Sequence, residues 1–224
     1  MIRPPRGDLV VAAVCAVAVV LVTADVLAGG LLTYLDEAIS DRLPSSDDAP
    51  TWTHVVGLLG NVGVGGAAVL AAAIATMHGL LRWWPGVMAF GQLVGSGLVV
   101  LALKYAVGRE GPTPDVAPDG YPGYYPSGHT ATATVAIAVV VFLLSTLVSR
   151  GPGSVSRARR RGLLAGAVGG IVVGASTVLG GFHWLSDVIS ALAIAAAFLV
   201  VGFGMAETYV AGPRPRPRTT SRDR

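Results

Sequence analysis

The sequence is poor in charged residues and nearly free of cysteine. Only 13% of the 224 residues are charged, whereas soluble globular domains average about 25%, so a soluble protein is not expected. Cys15 is the only cysteine. It therefore has no partner within the chain for a disulfide or a cysteine-based metal site, and we interpret it as a small packing residue.

Long apolar runs make up most of the chain. Apolar residues account for 53% of the sequence, and the mean hydropathy is +0.65. About 20 apolar residues cross the hydrocarbon core of a bilayer, and six runs approach or reach this length: 9–31, 54–77, 86–106, 129–148, 162–180 and 184–207. We therefore expect an all-α, polytopic membrane protein with six transmembrane helices in one bundle over residues 1–210. The Pro- and Arg-rich segment 211–224 is expected to be a disordered basic tail.

Arginine placement predicts the orientation of these helices. Of the 16 lysine and arginine residues, 13 lie in the termini and loops on one side of the predicted bundle. The other side has only Arg42, Lys104 and Arg109, beside acidic residues between positions 36 and 48. Because basic loops stay in the cytoplasm, both termini are expected to be cytoplasmic, and the arrangement suits a bacterial plasma membrane. Membrane lipids are expected as partners, and nucleic acid is not.

Two acidic features lie on the predicted outer side. Asp25 is about 17 residues into the first run, or roughly 26 Å at 1.5 Å per residue, and we interpret it as a solvated helix end. The acidic loop 32–53 either covers a pocket or forms a solvated linker, and we favour the linker.

Three separate helix ends bring polar residues to this outer face. Lys104, the only lysine, ends the third run, the sequence PSGH opens the fourth, and His183 and Asp187 open the sixth. Ser127 is suited to cap the fourth helix, and Gly128 lets a ligand approach the free N–H groups of the first turn. Such a helix end binds anions, and phosphate in particular.

The two histidines indicate a chemistry. His129 lies beside the predicted anion site, while His183 and Asp187 are four residues apart and share a helix face. An aspartate accepts from one imidazole nitrogen and leaves the other free to attack. One histidine as nucleophile and the other as acid would transfer a phosphoryl group. No carboxylate cluster accompanies them, so neither a catalytic metal nor another cofactor is expected. A plain helix cap and an interfacial His–Asp pair are the simpler alternatives.

These segments resemble the three motifs of the type 2 phosphatidic acid phosphatase superfamily of membrane lipid phosphatases: K-x6-R-P, P-S-G-H and S-R-x5-H-x3-D. The matching stretches are KYAVGREGP (Lys104 to Pro112), PSGH (Pro126 to His129) and STVLGGFHWLSD (Ser176 to Asp187). The resemblance implies that His183 forms a phosphohistidine, oriented by Asp187.

The resemblance also implies the roles of the remaining site residues. His129 would be the general acid, and Lys104, Ser127 and the Gly128 amide would hold the phosphate. The family acts without a metal on lipid phosphates or diphosphates, so such a lipid is the expected substrate.

Two arginines of the family motifs are replaced, by Gly111 and Thr177. Loss of a positioned transition-state donor typically costs about 2.7–4 kcal/mol. Thr177 offers only a hydroxyl at the phosphate. We hypothesise that Arg109 binds the phosphate in place of the first arginine, because side chains two apart in an extended segment point the same way and Gly111 leaves room.

The sequence therefore predicts an integral membrane lipid phosphate phosphatase with an extracytoplasmic active site. The missing arginines leave open a catalytically weakened or inactive relative that binds a phospholipid headgroup or a partner protein. A small transporter is disfavoured, because charged residues are nearly absent from the middles of the spans, where a translocation path needs them.

Overall fold

The computed structural model describes residues 3–113, 120–149, 151 and 153–211, and the regular structure within them is entirely helical. The α-helices are α1 (Arg6–Ala28), α2 (Leu31–Ser40), α3 (Thr51–Gly57), α4 (Val62–Leu80), α5 (Trp84–Val107), α6 (Gly128–Val148), α7 (Ser154–Leu179) and α8 (Leu185–Ala211). Short 3₁₀ turns cover Ser46–Asp48 and Leu58–Gly60. From residue 212 onward, the predicted basic tail lies outside the described residues.

Six of the helices, α1 and α4 to α8, are long and apolar enough to cross a membrane. The predicted all-α class and the six spans are therefore confirmed in the described part of the chain. The second predicted span, 54–77, is wrong at its start, because α3 ends at Gly57 and α4 begins only at Val62. Asn61 sets this boundary, since its side-chain oxygen accepts from the amides two and three residues later, at 2.9 and 3.2 Å, and caps α4.

The core forms around α6, the most deeply buried of the six spans. Its Phe142 is fully buried and stacks on Phe203 of α8, with ring centroids 4.2 Å apart. Glycines recur every four residues along the α7 face that packs on α6 and α8: Gly162, Gly166, Gly170 and Gly174. A Cβ on Gly166 would lie 2.7 Å from the Thr134 carbonyl oxygen of α6. The backbones of α6 and α7 therefore approach closely, as the small-residue spacing predicted.

The two ends of the bundle are held by different polar contacts. At one end, Arg159 of α7 pairs with Asp8 of α1 and, at 3.2 Å, with Glu207 of α8. The start of α1 and the end of α8 therefore meet here. Because successive spans run in opposite directions, the end of α5 and the starts of α6 and α8 lie at the opposite end. This second end carries Lys104 and His183. The side of the membrane that it faces stays a prediction.

Two acidic residues at this second end, Asp25 and Asp36, make structural contacts. Asp25 accepts from the amides of Leu32 at 2.8 Å and Thr33 at 3.3 Å, so it caps α2. Asp36 of α2 is only 2% exposed. The segment 32–53 is therefore more than a linker, because α2 packs against α8 and places a carboxylate where burial demands a partner.

Candidate active site

The start of α6 has the capped geometry that the sequence predicted. The Ser127 hydroxyl oxygen accepts hydrogen bonds from the Thr130 amide at 3.3 Å and the Thr130 hydroxyl at 3.0 Å. The Ser127 amide donates to the Asp187 carbonyl at 3.1 Å, which joins the first turns of α6 and α8. Ser127 is fully buried, Gly128 is half-buried and His129 is exposed. Of these three residues, the histidine is the one that reaches open space.

His183 lies just before α8 and is held by Asp187 in the first turn of that helix. His183 Nδ1 is 3.0 Å from Asp187 Oδ2, and the same oxygen accepts from the Trp184 amide at 3.2 Å. A carboxylate accepts rather than donates, so Nδ1 carries the proton and Nε2 keeps a free lone pair. Asp187 is fully buried and His183 is 6% exposed. The two side chains meet as their spacing predicted.

Asp187 has a second partner, Arg109, from the segment after α5. Arg109 Nη1 donates to Asp187 Oδ1 at 3.0 Å and to the Ser186 hydroxyl at 2.6 Å. Arg109 Nη2 donates to Asp36 Oδ2 at 2.8 Å. The guanidinium also lies over the Trp184 ring, with Cζ 5.1 Å from the ring centroid. Arg109 therefore bridges two buried carboxylates on the Asp187 side of His183.

In this arrangement Arg109 faces carboxylates, and the hypothesis that it binds the phosphate stays a prediction. Its guanidinium is engaged by Asp36 and Asp187, and Arg109 is not among the residues that line the cavity around the histidines. Gly111 does not leave room for it either, because a Cβ at that position would lie 2.8 Å from the Tyr124 ring. The Tyr124 ring fills this space and makes an edge contact with His183, with centroids 5.6 Å apart.

Lys104 reaches the start of α6, and the segment before that helix holds its ammonium group. Nζ donates to the carbonyl oxygens of Gly123 at 2.5 Å and Tyr124 at 3.2 Å, and to the Tyr121 hydroxyl at 3.2 Å. These contacts use all three of its donors. Burial raises the pKa of Tyr121 and of Tyr124, so both phenols stay protonated at neutral pH. A Cβ on Gly128 would lie 3.9 Å from the Lys104 side chain, which places the cation beside the helix start.

One cavity of about 270 Å³ brings the two histidines together. Its walls come from four parts of the chain: Thr53, His54, Gly57, Leu58 and Asn61; Tyr121 and Tyr124; His129; and Thr177, Phe182 and His183. Of the predicted site residues, His129, Thr177 and His183 therefore line the cavity. The others, Lys104, Arg109, Ser127, Gly128 and Asp187, are not among these lining residues.

A larger cavity of about 760 Å³ lies at the opposite end of the bundle, beside Arg82, Ser154 and Tyr209. None of the histidines lines it. Across the described ranges, no group of three or more His, Cys, Asp or Glu side chains is placed to hold a metal ion.

Among the residues of this region that the sequence did not indicate are Asp36, His54, Asn61, Tyr121 and Tyr124. His54 was assigned to the second predicted span because the apolar residues around it continue into α4. Pro50 and Asn61 are the signals that separate α3 from that span, since a proline favours a helix start and an asparagine favours a cap. Asp36 has no local signal, because its partner Arg109 is 73 residues away.

Residues 85–211 match the family model of the PAP2 superfamily. The match covers more than half of the chain, so the protein belongs to the PAP2 superfamily. The family that the three motifs indicated is thereby confirmed.

The fold is similar to the crystal structure of a transmembrane PAP2-type phosphatidylglycerolphosphate phosphatase from Bacillus subtilis. The TM-score is 0.66 at 20% sequence identity, over 89% of this chain and 98% of that chain. At this identity the likeness concerns the fold, and it agrees with a multi-pass membrane protein. A comparison with curated proteins found no match.

Proposed function

We propose that this protein hydrolyses a lipid phosphate or diphosphate at the outer membrane face, without a metal, through a phosphohistidine on His183. The observation that carries the proposal is that His129 and His183 line one cavity while Asp187 holds Nδ1 of His183. Membership in the PAP2 superfamily supports the same class of reaction. The cavity lies where the spans end, which is the level of a lipid headgroup.

Two displacements complete the reaction. In the first, the Nε2 lone pair of His183 attacks phosphorus, the phosphorus–oxygen ester bond breaks, and protonated His129 gives its proton to the departing oxygen. Asp187 stabilises the positively charged imidazole that results. In the second, water attacks phosphorus, the phosphorus–nitrogen bond breaks, and His129 takes a proton from that water. Both histidines then regain their starting states.

Phosphate binding takes place without an arginine among the described lining residues. The donors at or beside the cavity include the Gly128 and His129 backbone amides, the Asn61 amide group and the His54 imidazole. Lys104 adds positive charge beside Tyr121 and Tyr124. Neutral hydrogen bonds are roughly half as strong as charge-assisted ones. We therefore expect weaker phosphate binding than two arginines would give.

A second candidate function is lipid phosphate binding without turnover. Thr177 stands where the family motif has an arginine, and its hydroxyl donates to the Gly174 carbonyl at 2.9 Å. Arg109, the nearest substitute along the chain for the other arginine, is engaged by two carboxylates. Both observations favour a protein that keeps the fold and the headgroup site but whose catalytic rate is reduced.

Phosphate release from a defined lipid phosphate by the purified protein in detergent tests the proposal. We expect His183→Ala to abolish phosphate release. It should also abolish covalent labelling of the protein by a lipid substrate that carries a radiolabelled phosphate group. His78→Ala is the matched control, because His78 is an exposed histidine at the opposite end of the bundle. Release that survives His183→Ala would contradict the mechanism.

Substrates with different leaving groups test whether His129 acts as the general acid. We expect His129→Ala to slow lipid phosphate hydrolysis about 10²–10⁴-fold. The first displacement on p-nitrophenyl phosphate should be slowed much less, because that leaving group needs no proton.

Saturable binding of the lipid by wild-type protein without any phosphate release would select the second candidate function.

A further inference from the structure

The contacts around His183 extend to a carboxylate from a distant part of the chain. Asp36 of α2 accepts from Arg109 Nη2 at 2.8 Å and from the Ser186 hydroxyl with Oδ2, and from the Ser186 amide at 3.0 Å with Oδ1. The Ser186 amide belongs to the first turn of α8, so Asp36 caps the helix that carries Asp187. A residue of α2 thereby fixes the start of α8.

Four side chains form a row of alternating charge: Asp36, Arg109, Asp187 and His183. The successive nitrogen–oxygen distances are 2.8, 3.0 and 3.0 Å, and every member is at most 11% exposed. Buried charges are screened little by water and salt. A change of charge at Asp36 therefore changes the electrostatic potential at His183.

We infer that Asp36 is a positioning residue for the reaction, acting on the His183 imidazole through Arg109 and Asp187. The inference rests on the proposed role of His183 as nucleophile. Asp36 offsets the charge of Arg109, so that Asp187 retains the negative character that holds the Nδ1 proton and stabilises the imidazolium. Without Asp36, Arg109 pairs with Asp187 alone and reduces that stabilisation.

Other titratable and charged groups also surround His183, and the experiment leaves all of them unchanged. They are Tyr124 against the ring; His129 of α6, His54 of α3 and Tyr121 around the cavity; Lys104 of α5 beside Tyr121; and Glu110, whose carbonyl accepts from Trp184. Because these groups are constant, differences between the variants report the row itself.

The variants have opposite expected effects. Neutral imidazole is the reactive form, and a nearby negative charge favours the imidazolium. Asp36→Asn should therefore move the acidic limb of the pH–rate profile to lower pH by about half a unit, and Arg109→Gln should move it to higher pH by about one unit. The double variant restores the net charge, so its limb should return toward that of the wild type. Asp36→Glu keeps the charge and should keep the wild-type limb.

The effect on turnover also has a signature. Asp36 is not among the lining residues of the cavity, so Asp36→Asn should leave KM near the wild-type value. It should lower kcat about ten- to hundredfold, because a misplaced catalytic group costs rate rather than binding. A purely structural ion pair would lower activity in all variants without the opposite shifts in pH.

Two measurements keep this inference separate from the proposed function. One is phosphate release against pH. The other is acylation of His183 by diethyl pyrocarbonate, read by mass spectrometry across pH, which needs no turnover. Asp47→Asn, an exposed acid that follows α2 in the chain, is the control. Identical acylation midpoints in the wild type and all variants overturn the inference. If the variants shift the acylation midpoint but the wild type releases no phosphate, the charge row is upheld and the proposed function is overturned.

Discussion

Tyr124 and Gly111 act together in shaping the cavity. The Tyr124 ring lies over Gly111, where the family motif has an arginine, and it contacts both Tyr121 and His183. A side chain at position 111 and this ring cannot occupy the same space. The glycine therefore makes room for an aromatic wall, and the wall takes the place of a cation.

Gly111→Ala tests this pairing. The new methyl group would lie 2.8–2.9 Å from three ring carbons of Tyr124, so the ring must leave its present position against His183. Because Tyr124 lines the cavity, we expect KM for the lipid phosphate to rise, and stability to fall by about 1–3 kcal/mol, the usual penalty of overpacking. Enzyme kinetics and thermal unfolding in detergent measure the two effects.

The control for that experiment is Gly91→Ala, because nothing lies within 4 Å of a Cβ at Gly91. In a Tyr124→Ala background, Gly111→Ala should cost no further stability, because the ring that the methyl group would meet is gone. If Gly111→Ala matches Gly91→Ala in both KM and unfolding temperature, the ring moves freely and the pairing is wrong.

Whether a site residue was predictable depends on how far away its partners lie along the chain. Ser127 contacts a group three residues away, and His183 a group four residues away, so local spacing encodes both contacts. The partners of Arg109 lie 73 and 78 residues away, and no local pattern encodes such pairs. For this reason the sequence indicated neither the ion pairs of Arg109 nor the contribution of Asp36.

The α7 helix depends on glycine along the face that meets α6. We expect Gly166→Ala to lower stability by about 1–3 kcal/mol, because its methyl group would lie 2.6 Å from the Ala138 Cβ and 2.7 Å from the Thr134 carbonyl oxygen. Neither group can rotate out of the way, so the two helices must separate. Thermal unfolding in detergent measures the loss.

Gly97→Ala in α5 is the matched control, because a Cβ there meets nothing within 4 Å. Both substitutions replace glycine by alanine inside a membrane span, so they share the same gain in helix propensity. Equal unfolding temperatures for the two variants would mean that α6 and α7 are not packed backbone to backbone.

Hydropathy predicted the helices better than it predicted their ends. The predicted run 162–180 begins eight positions after the true start of α7 at Ser154, because the first turns of α7 carry arginines and leave the apolar layer. Helical hydrogen bonding continues there regardless of hydropathy. The short helices α2 and α3 were not predicted as separate elements, since a few turns at a membrane surface carry no span-length signal.

The orientation of the whole molecule is testable because the chain has a single cysteine. In a Cys15→Ala background, we expect a cysteine at Asp47 to react with a membrane-impermeant maleimide in intact cells. A cysteine at Arg160 should react only after the membrane is permeabilised. Both positions are exposed, so accessibility depends on the side of the membrane. The reverse labelling pattern would place the histidine cavity in the cytoplasm and both termini outside.

During biosynthesis, the first turn of α8 completes the set of contacts around His183. The Asp187 carboxylate accepts hydrogen bonds from His183 and Arg109, and its backbone carbonyl accepts one from the Ser127 amide. Spans that enter the bilayer in chain order deliver this turn last. Until then, Asp36 is the acidic partner of Arg109 among the described residues, and the His129 imidazole lacks His183 beside it. Under the proposed mechanism, a nascent chain therefore cannot hydrolyse its substrate until α8 is inserted.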